Sequence, residues 1–236
     1  MVKVTILSPI HNEQKSLREL AARVNKVMNK TCGNSWEFLL IDDISTDKSP
    51  EILSELEGKY KNIRVITHKK QSGQTGCFKT GFENAKGDII ITIDGDLQLM
   101  PEDIPRFIEK MDRGYDLVNA IRENRKHPFW IKLASRVYNT LMLVFFNSPV
   151  LDSASNFTAV RSKFVKDLKL RGNDHRYIVP IVVRRGGKRI GEIIVEHKGR
   201  SHGKSKYKAL PKYIRGFPEI IFAWVRFKAG YFDKKS

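Results

Sequence analysis

Short apolar runs alternate with helical patterns along the first 120 residues of the chain. Apolar runs that end in polar turns predict strands over residues 4–7, 38–41, 63–66, 88–93 and 116–120. Between them, apolar positions three and four apart predict helices over residues 16–28, from 49 onward, through 80–82 and over 101–111. Strands that alternate with helices imply right-handed crossovers between parallel strands. The predicted fold class is therefore α/β, with a mostly parallel sheet flanked by helices.

The second half of the chain is less regular. A helix is predicted over residues 131–146, and further apolar segments lie at 178–183 and 190–195. Residues 198–215 hold seven Lys or Arg and no acid, which predicts a mobile basic loop. Residues 217–227 form an aromatic-rich amphipathic stretch. Two interpretations of this stretch stay open, since it could lie in a membrane interface or pack on the domain.

Positive charge is concentrated in the second half of the chain. Residues 1–118 hold 17 Lys and Arg against 18 Asp and Glu, whereas residues 119–236 hold 26 against 8. The surplus predicts that the second half meets an anionic partner, such as nucleic acid, an anionic membrane face or a phosphorylated ligand. Hydrophobic residues make up 41% of the chain and charged residues 29%. This balance excludes an intrinsically disordered chain.

The cellular compartment is predicted from the amino terminus, the cysteines and the apolar runs. Residues 1–7 lack a long apolar region with a cleavage site, and the chain has only two cysteines. The longest apolar-leaning run, residues 138–151, has 14 residues, whereas a membrane span needs about 20. We therefore expect a cytoplasmic protein without a transmembrane helix.

Acidic and polar clusters follow three of the predicted strands. The tripeptide Asp94-Gly95-Asp96 comes directly after an apolar strand, and Gln98 adds a neutral oxygen two residues later. Such oxygens suit Mg²⁺ or Mn²⁺, which also bind substrate phosphates, although an isolated Asp-Gly-Asp is more often a solvated turn. The clusters 11–13 and 42–43 follow two other strands. Because ligands bind outside the carboxyl ends of parallel strands, we expect the three clusters to converge on one crevice.

Taken together, these motifs resemble glycosyltransferase family 2. Residues 8–13 are similar to the family's first-strand motif, residues 42–47 to its second-strand motif, and Asp94-Gly95-Asp96 to its metal-binding Asp-x-Asp. Further segments, in the same order, resemble the polyprenyl-phosphate branch, which includes dolichyl-phosphate mannose synthases and bactoprenol glucosyltransferases: 73–75, 81–82, 85–88, 114–116, 175–177 and 200–207. The resemblance runs from about residue 3 to residue 208. It implies the GT-A fold, a Rossmann-like sheet with a basic acceptor loop and a carboxyl-terminal amphipathic helix.

The resemblance also implies roles for individual residues. Those expected to line the donor nucleotide are Pro9, His11, Glu13, Asp43 and Asp94. Asp96 and Gln98 are expected to hold Mg²⁺ or Mn²⁺ on the diphosphate. Those expected to meet the acceptor or donor phosphate are Arg122, Lys132, Ser135, Arg200, Ser205 and Lys206. Asp152 is expected near the transferred sugar, so the catalytic set is Asp94, Asp96, Asp152 and Arg200.

The domain organisation implied is a single GT-A domain over residues 1–215 with a short tail. Within it, residues 1–120 form the nucleotide-sugar half and residues 121–215 the acceptor half. Residues 216–236 are the amphipathic tail.

The activity implied is inverting, metal-dependent transfer of a hexose from a nucleotide sugar to a polyprenyl phosphate. The expected partners are a UDP- or GDP-hexose, the polyprenyl phosphate, the cytoplasmic membrane face as a peripheral contact and a subunit that anchors the chain to it. A family 2 enzyme with a saccharide or other hydroxyl acceptor stays open as an alternative, as does a non-catalytic relative that binds nucleotide. A nucleic-acid-binding protein explains the isoelectric point of about 9.9, but it leaves the acidic tripeptide unexplained. We therefore expect no nucleic-acid partner.

Overall fold

The computed structural model describes residues 2–123, 129–198 and 209–234, of which residues 129–135 and 209–218 are described as backbone. The helices and strands are, in chain order, β1 (Val4–Ile10), α1 (Leu17–Cys32), β2 (Trp36–Asp42), α2 (Ser49–Lys59), β3 (Ile63–Thr67), α3 (Gly73–Asn84), β4 (Ile89–Thr92), α4 (Ile104–Asp112), β5 (Leu117–Glu123), α5 (Phe129–Phe146), β6 (Thr158–Arg161), α6 (Ile178–Arg184), β7 (Ile190–Glu196) and α7 (Ala209–Lys228). Single 3₁₀ turns lie at Pro101–Asp103, Ser162–Phe164 and Asp174–Tyr177.

The described residues contain one seven-stranded sheet with the order β3-β2-β1-β4-β6-β5-β7. Neighbouring strands run parallel except β6, which is antiparallel to both β4 and β5. The predicted class, an α/β fold with a mostly parallel sheet between helices, is therefore confirmed. Because β1, β2 and β4 are adjacent and parallel, their carboxyl ends meet at one edge of the sheet.

Both faces of the sheet are covered, which explains why its central strands are apolar without interruption. In β2, Phe38 and Leu40 belong to the core beneath α1, α2 and α4. Leu39 and Ile41 belong to the core on the opposite face, beneath α3, α5, α6 and α7. The period-two geometry of a strand sends successive side chains to opposite faces, so all four are fully buried.

The structure differs from the sequence-based prediction at two strands. Strand β6 was not predicted, because its four residues carry too short a pattern to be distinguished from a loop. Strand β1 was predicted to end at Leu7 but continues to Ile10. It accommodates Pro9 because β4 pairs with β1 only as far as Leu7, and beyond that point β1 has β2 as its single partner.

Helix α7 begins at Ala209, so residues 209–215, which were predicted to belong to the basic loop, are helical. Of the two open interpretations of the tail, packing on the domain holds for one face of the helix, where Ile220 and Ala223 are buried. The other face leaves Phe222 71% exposed. None of the helices within the described residues is long and apolar enough to cross a bilayer.

Candidate active site

Strained backbone marks the point where each of three parallel strands ends. Asn12, Ile44 and Leu97 follow β1, β2 and β4, and their φ angles are +59°, +57° and +56°. Non-glycine residues rarely adopt this left-handed conformation, and a β-branched residue such as Ile44 does so least readily. Each such residue costs about 1 kcal/mol or more, and strain of this kind persists where the surrounding structure fixes it. The three strained positions therefore outline one functional edge of the sheet.

The loops after β1 and β2 are held together by Asn12. Its side-chain oxygen accepts the backbone N–H groups of Thr46, at 2.7 Å, and Asp47, at 3.2 Å. Its own backbone N–H donates to the Ser45 hydroxyl at 2.9 Å, and that hydroxyl donates to Asp42 at 2.6 Å. The two loops therefore form one rigid wall of the crevice.

Three hydrogen-bond donors hold the carboxylate of Asp43 in this wall. One of its oxygens accepts the imidazole N–H of His68 at 2.9 Å and the backbone N–H of Ser72 at 2.7 Å. The other accepts the backbone N–H of Gly73 at 2.8 Å. Burial by itself would raise the pKa of Asp43, but these three donors lower it below its usual value. Asp43 is therefore a fixed anion whose remaining lone pairs can accept N–H groups of a base.

His68 and Cys77, which the sequence did not single out, lie next to Asp43. Ligand atoms of the three residues lie within 4.8 Å of one another, a spacing that a metal ion could bridge. The second His68 ring nitrogen, however, is 2.9 Å from the Thr80 hydroxyl, and burial raises the pKa of the Cys77 thiol to about 12. Both ring nitrogens of His68 are therefore already hydrogen-bonded, one to Asp43 and one to Thr80. The cluster therefore fits a hydrogen-bonded support for Asp43 better than a metal site.

The turn from Asp94 to Gln98 lies opposite this wall. A Cβ atom on Gly95 would lie 2.9 Å from Cδ1 of Ile10, so the turn approaches β1 closely. Asp96 accepts the backbone N–H of Gln98 at 3.2 Å. The Gln98 side-chain amide donates to the Lys198 carbonyl at 3.4 Å, and the Lys198 N–H donates to the Gln98 carbonyl at 3.0 Å. The start of the predicted basic loop therefore touches the predicted metal-binding turn.

Asp94 is reached by two side-chain amides to which the sequence assigned no role. Gln74 donates to its carboxylate at 3.1 Å, and the Asn156 amide lies 3.4 Å from each carboxylate oxygen. Next to Gln74, the Thr75 hydroxyl lies 2.6 Å from Nδ1 of His175. These contacts come from α3, the loop before β6 and a 3₁₀ turn, which are distant in sequence, so no local pattern could have revealed them.

Arg122 and Asp152, both predicted site residues, are paired with each other. The guanidinium donates to the two carboxylate oxygens at 2.8 and 2.9 Å, and the side chains are only 14% and 10% exposed. Asn119 also donates to the backbone carbonyl of Asp152 at 2.9 Å. Nearby Glu192 is partly desolvated, which raises the pKa of its carboxyl above the usual value. The ion pair between Arg122 and Asp152 was not predicted from the sequence.

The other predicted site residues fall into three groups. Pro9, His11 and Glu13 lie on β1 or directly after it, and the His11 ring donates to the Asp43 carbonyl at 3.0 Å. Lys132 and Ser135 lie on the first turns of α5, which are described as backbone. The residues that lie outside the described ranges are Arg200, Ser205 and Lys206.

A mostly parallel α/β sheet with acidic turns after β2 and β4 is the arrangement expected of a GT-A glycosyltransferase, and the family comparison agrees. The model of glycosyl transferase family 2 matches residues 5–169. The chain therefore belongs to this family, and the predicted enzyme class, a glycosyltransferase, is confirmed at the level of the family.

The curated relatives are named as polyprenyl-phosphate sugar transferases. The chain is 36% identical over 205 residues to an undecaprenyl-phosphate 4-deoxy-4-formamido-L-arabinose transferase of Edwardsiella ictaluri. The matched residues make up 86% of the chain and 62% of the relative. It is 36% identical over 206 residues to the Salmonella paratyphi B protein of the same name, covering 87% and 62%. The chain thus spans about three fifths of the length of these relatives. The predicted resemblance to the polyprenyl-phosphate branch is confirmed.

Solved structures with the same fold share little sequence with the chain. Glucosyl-3-phosphoglycerate synthase from Mycobacterium tuberculosis, in complex with Mn²⁺, UDP and glucosyl-3-phosphoglycerate, has a TM-score of 0.70 at 14% identity and covers 94% of this chain and 80% of its own. A mannosyltransferase from Pyrobaculum calidifontis, in complex with GDP-Man and Mn²⁺, has a TM-score of 0.66 at 16% identity, covering 94% and 64%. These likenesses confirm the GT-A fold.

Proposed function

We propose that the chain transfers a sugar from a nucleotide sugar to a polyprenyl phosphate at a membrane surface. One observation supports the proposal: Asp43 and Asp94, after two different strands of the sheet, both accept hydrogen bonds from the start of α3, Asp43 from the Gly73 N–H at 2.8 Å and Asp94 from the Gln74 amide at 3.1 Å. The curated relatives, similar over 86% of the chain, are named for the same type of acceptor.

The donor nucleotide is proposed to bind between β1, β2 and β4. Pro9, His11, Glu13 and Asp43 would contact the base and ribose, and Asp94 would lie near the ribose and sugar. Support comes from Asp43, whose orientation is fixed by three donors before any ligand arrives. A preorganised acceptor of this kind binds without a cost of reorientation.

A divalent cation, Mg²⁺ or Mn²⁺, is proposed to bind at the turn of Asp96 and Gln98. The donor set fits, because Asp96 is a half-buried carboxylate and Gln98 supplies an amide oxygen, both hard ligands. When bound, the cation would neutralise the diphosphate that leaves with the nucleoside. The two solved structures described above hold Mn²⁺ together with a nucleotide or nucleotide sugar.

The acceptor phosphate is proposed to bind on the basic half of the chain. One phosphate oxygen would attack the anomeric carbon, the bond from that carbon to the nucleoside diphosphate would break, and the configuration would invert. A phosphate monoester is already an anion at neutral pH, so cationic groups that orient it can replace the strong base that a hydroxyl needs. The proposed contacts are Arg122, Lys132, Ser135, Arg200, Ser205 and Lys206.

The membrane surface is proposed to contact α5 and α7. The two helices pack together through Phe145 and Trp224, whose ring centroids are 5.7 Å apart. Large apolar side chains remain exposed on both, with Val144 70% and Phe222 71% exposed. The 26 basic residues after residue 118, against 8 acids, complement an anionic leaflet. We therefore propose a lipid surface as the occupant of this apolar face.

A transfer assay with radiolabelled nucleotide sugars and undecaprenyl phosphate tests the proposal. We expect product only with Mg²⁺ or Mn²⁺ present, and none from the Asp96→Asn variant, whose fold should persist. The Asp103→Asn variant, in the 3₁₀ turn before α4 and paired with Arg106, is the matched control and should keep full activity. Equal turnover by Asp96→Asn would contradict the metal site, and transfer to a sugar alcohol at the same rate would contradict the phosphate acceptor.

Membrane contact is tested separately by flotation with vesicles. We expect the chain to float with vesicles that contain anionic lipid, and Phe222→Ser to weaken flotation without unfolding the protein. Ile220→Val, on the buried face of the same helix, is the control and should float as the wild type does. Equal flotation of Phe222→Ser and the wild type would contradict this surface.

A further inference from the structure

Two large apolar side chains are exposed beside the ion pair of Arg122 and Asp152, outside α5 and α7. Leu151 is 70% exposed and Ile194 is 52% exposed. Leu151 directly precedes Asp152 in the chain, and Ile194 of β7 is paired with Ile121 of β5, the neighbour of Arg122. Among the side chains that the structure describes, the other exposed large hydrophobic ones lie on α5 or α7. Leu151 and Ile194 therefore form a separate apolar strip at the acceptor half of the site.

The backbone of Leu151 is held on both sides, although its side chain is exposed. Its N–H donates to a carboxylate oxygen of Glu192 in β7 at 2.8 Å, and its carbonyl accepts from the Asn139 side chain of α5 at 2.6 Å. Asn119 of β5 holds the next carbonyl, that of Asp152, at 2.9 Å. Because three elements of the fold fix this segment, the exposed leucine is presented in a defined position.

The apolar strip lies between the ion pair and the exposed face of α5. Glu192 and Ile194 are two residues apart in β7, so their side chains point to the same face of the sheet. Because Glu192 contacts Leu151, Leu151 lies at that face as well. Asn139, which holds Leu151, is one helical turn from Leu143 on the surface of α5, and Leu143 is 55% exposed. An apolar path therefore leads from the ion pair, over the strip, to the face of α5 that is proposed to contact the membrane.

We infer that the apolar strip of Leu151 and Ile194 binds the isoprene units next to the phosphate of a polyprenyl phosphate acceptor. The inference rests on the proposed function, to which it adds a binding site for the lipid part of the acceptor. An acceptor whose phosphate meets Arg122 and whose chain ends in the bilayer has to pass from the site to α5. Isoprene units carry no polar atoms, so contact with the strip removes apolar surface of both partners from water. A bilayer that rested on Leu151 would also close over Asp152, the next residue, whereas a single chain leaves the site open to the donor.

Calorimetric titration with two phosphate monoesters, in vesicle-free solution with UDP and Mg²⁺, tests the inference. The probes are methyl phosphate, which has no isoprene unit, and farnesyl phosphate, used below the concentration at which it forms micelles. We expect the wild type to bind farnesyl phosphate at least about tenfold more tightly than methyl phosphate. Leu151→Ser should reduce this preference by about fivefold and leave the affinity for methyl phosphate unchanged. Leu151→Phe, which keeps an apolar side chain, should retain the preference.

The matched control is Phe222→Ser on α7, because Phe222 is 71% exposed and Leu151 is 70% exposed. Phe222→Ser should keep the preference for farnesyl phosphate in solution and weaken flotation with acceptor-free vesicles. Leu151→Ser should instead float as the wild type does. Both variants should melt within about 2 °C of the wild type, since neither side chain is buried.

The outcomes separate the inference from the proposed function. Equal binding of the two monoesters by the wild type, or a preference that survives Leu151→Ser, would overturn the inference while the proposed function stands. Weakened flotation of Leu151→Ser would assign the strip to the membrane surface and likewise overturn the inference. A wild type that binds neither monoester and transfers no sugar to undecaprenyl phosphate would contradict the proposed function, and the inference would fall with it.

Discussion

The ion pair between Arg122 and Asp152 allows a sharp test of how the site is held together. Both side chains are nearly buried, at 14% and 10% exposure, and the pairing uses two parallel hydrogen bonds. Removing one partner deprives the other charge of this ion pair in a poorly solvated place. We therefore expect Arg122→Met and Asp152→Asn each to destabilise the fold.

The expected magnitude follows from the burial of the pair. Breaking a buried ion pair costs about 3–5 kcal/mol, and the residual exposure of both side chains favours the lower end, about 3 kcal/mol. For a chain of this length each kcal/mol lowers Tm by about 2–4 °C, so a single variant should melt roughly 6–12 °C below the wild type. The double variant leaves no orphaned charge and should melt no lower than the worse single variant.

The assay is a double-mutant cycle measured by urea unfolding and by thermal melting. Arg18→Met is the matched control, because Arg18 pairs with Glu55 on an open surface, where both side chains are at least half exposed. That variant should melt within error of the wild type, since exposed pairs contribute little. Additive losses for Arg122→Met and Asp152→Asn, or single variants as stable as the wild type, would refute this account of the pair.

Two other predictions follow from the packing and the electrostatics. Gly87→Ala should destabilise the fold by about 1–3 kcal/mol or more, since the added Cβ would lie 2.5 Å from the backbone nitrogen of Thr5. Gly58→Ala, in α2 with open space around it, is the control and should be neutral or stabilising. Equal urea midpoints for the two variants would contradict this prediction. The pKa of Asp43 is lower in the fold than its ordinary value of 3.8. The stabilisation of the fold by the Asp43 carboxylate should therefore be complete above pH 3.8 and be lost as the pH falls through the lower pKa of the folded state. Asp43→Asn should therefore flatten this acid limb of the stability curve measured by urea unfolding between pH 7 and pH 2, and an unchanged limb would contradict the assignment.

Periodic patterns were sufficient to predict the architecture of the first half of the chain. The β2 segment is apolar at every one of positions 38–41 because both faces of the sheet are covered. The acidic tripeptide after β4 could be placed at the functional edge because parallel strands end together. The antiparallel strand β6 could not, since four residues carry no period that distinguishes a strand from a loop.

The partners of the site residues could not be predicted from sequence. Asp43 is oriented by His68, and Asp94 is contacted by Asn156 across 62 positions of chain. Such pairs depend on how strands and helices pack, which no window of sequence encodes. For Arg122 and Asp152 the residue types were recognised, but their mutual pairing emerged only from the fold.

Binding of a nucleoside diphosphate that depends on metal tests the central claim most directly. The measurement is a thermal-shift panel of UDP, GDP, CDP and dTDP, each with and without Mn²⁺, on the wild type and on Asp96→Asn. At 100 times its dissociation constant, a ligand should stabilise the fold by about 2.7 kcal/mol. The account predicts that one nucleotide raises Tm of the wild type only with Mn²⁺, and that Asp96→Asn loses this shift. No shift with any nucleotide, or a shift that is independent of both Mn²⁺ and Asp96, would contradict it.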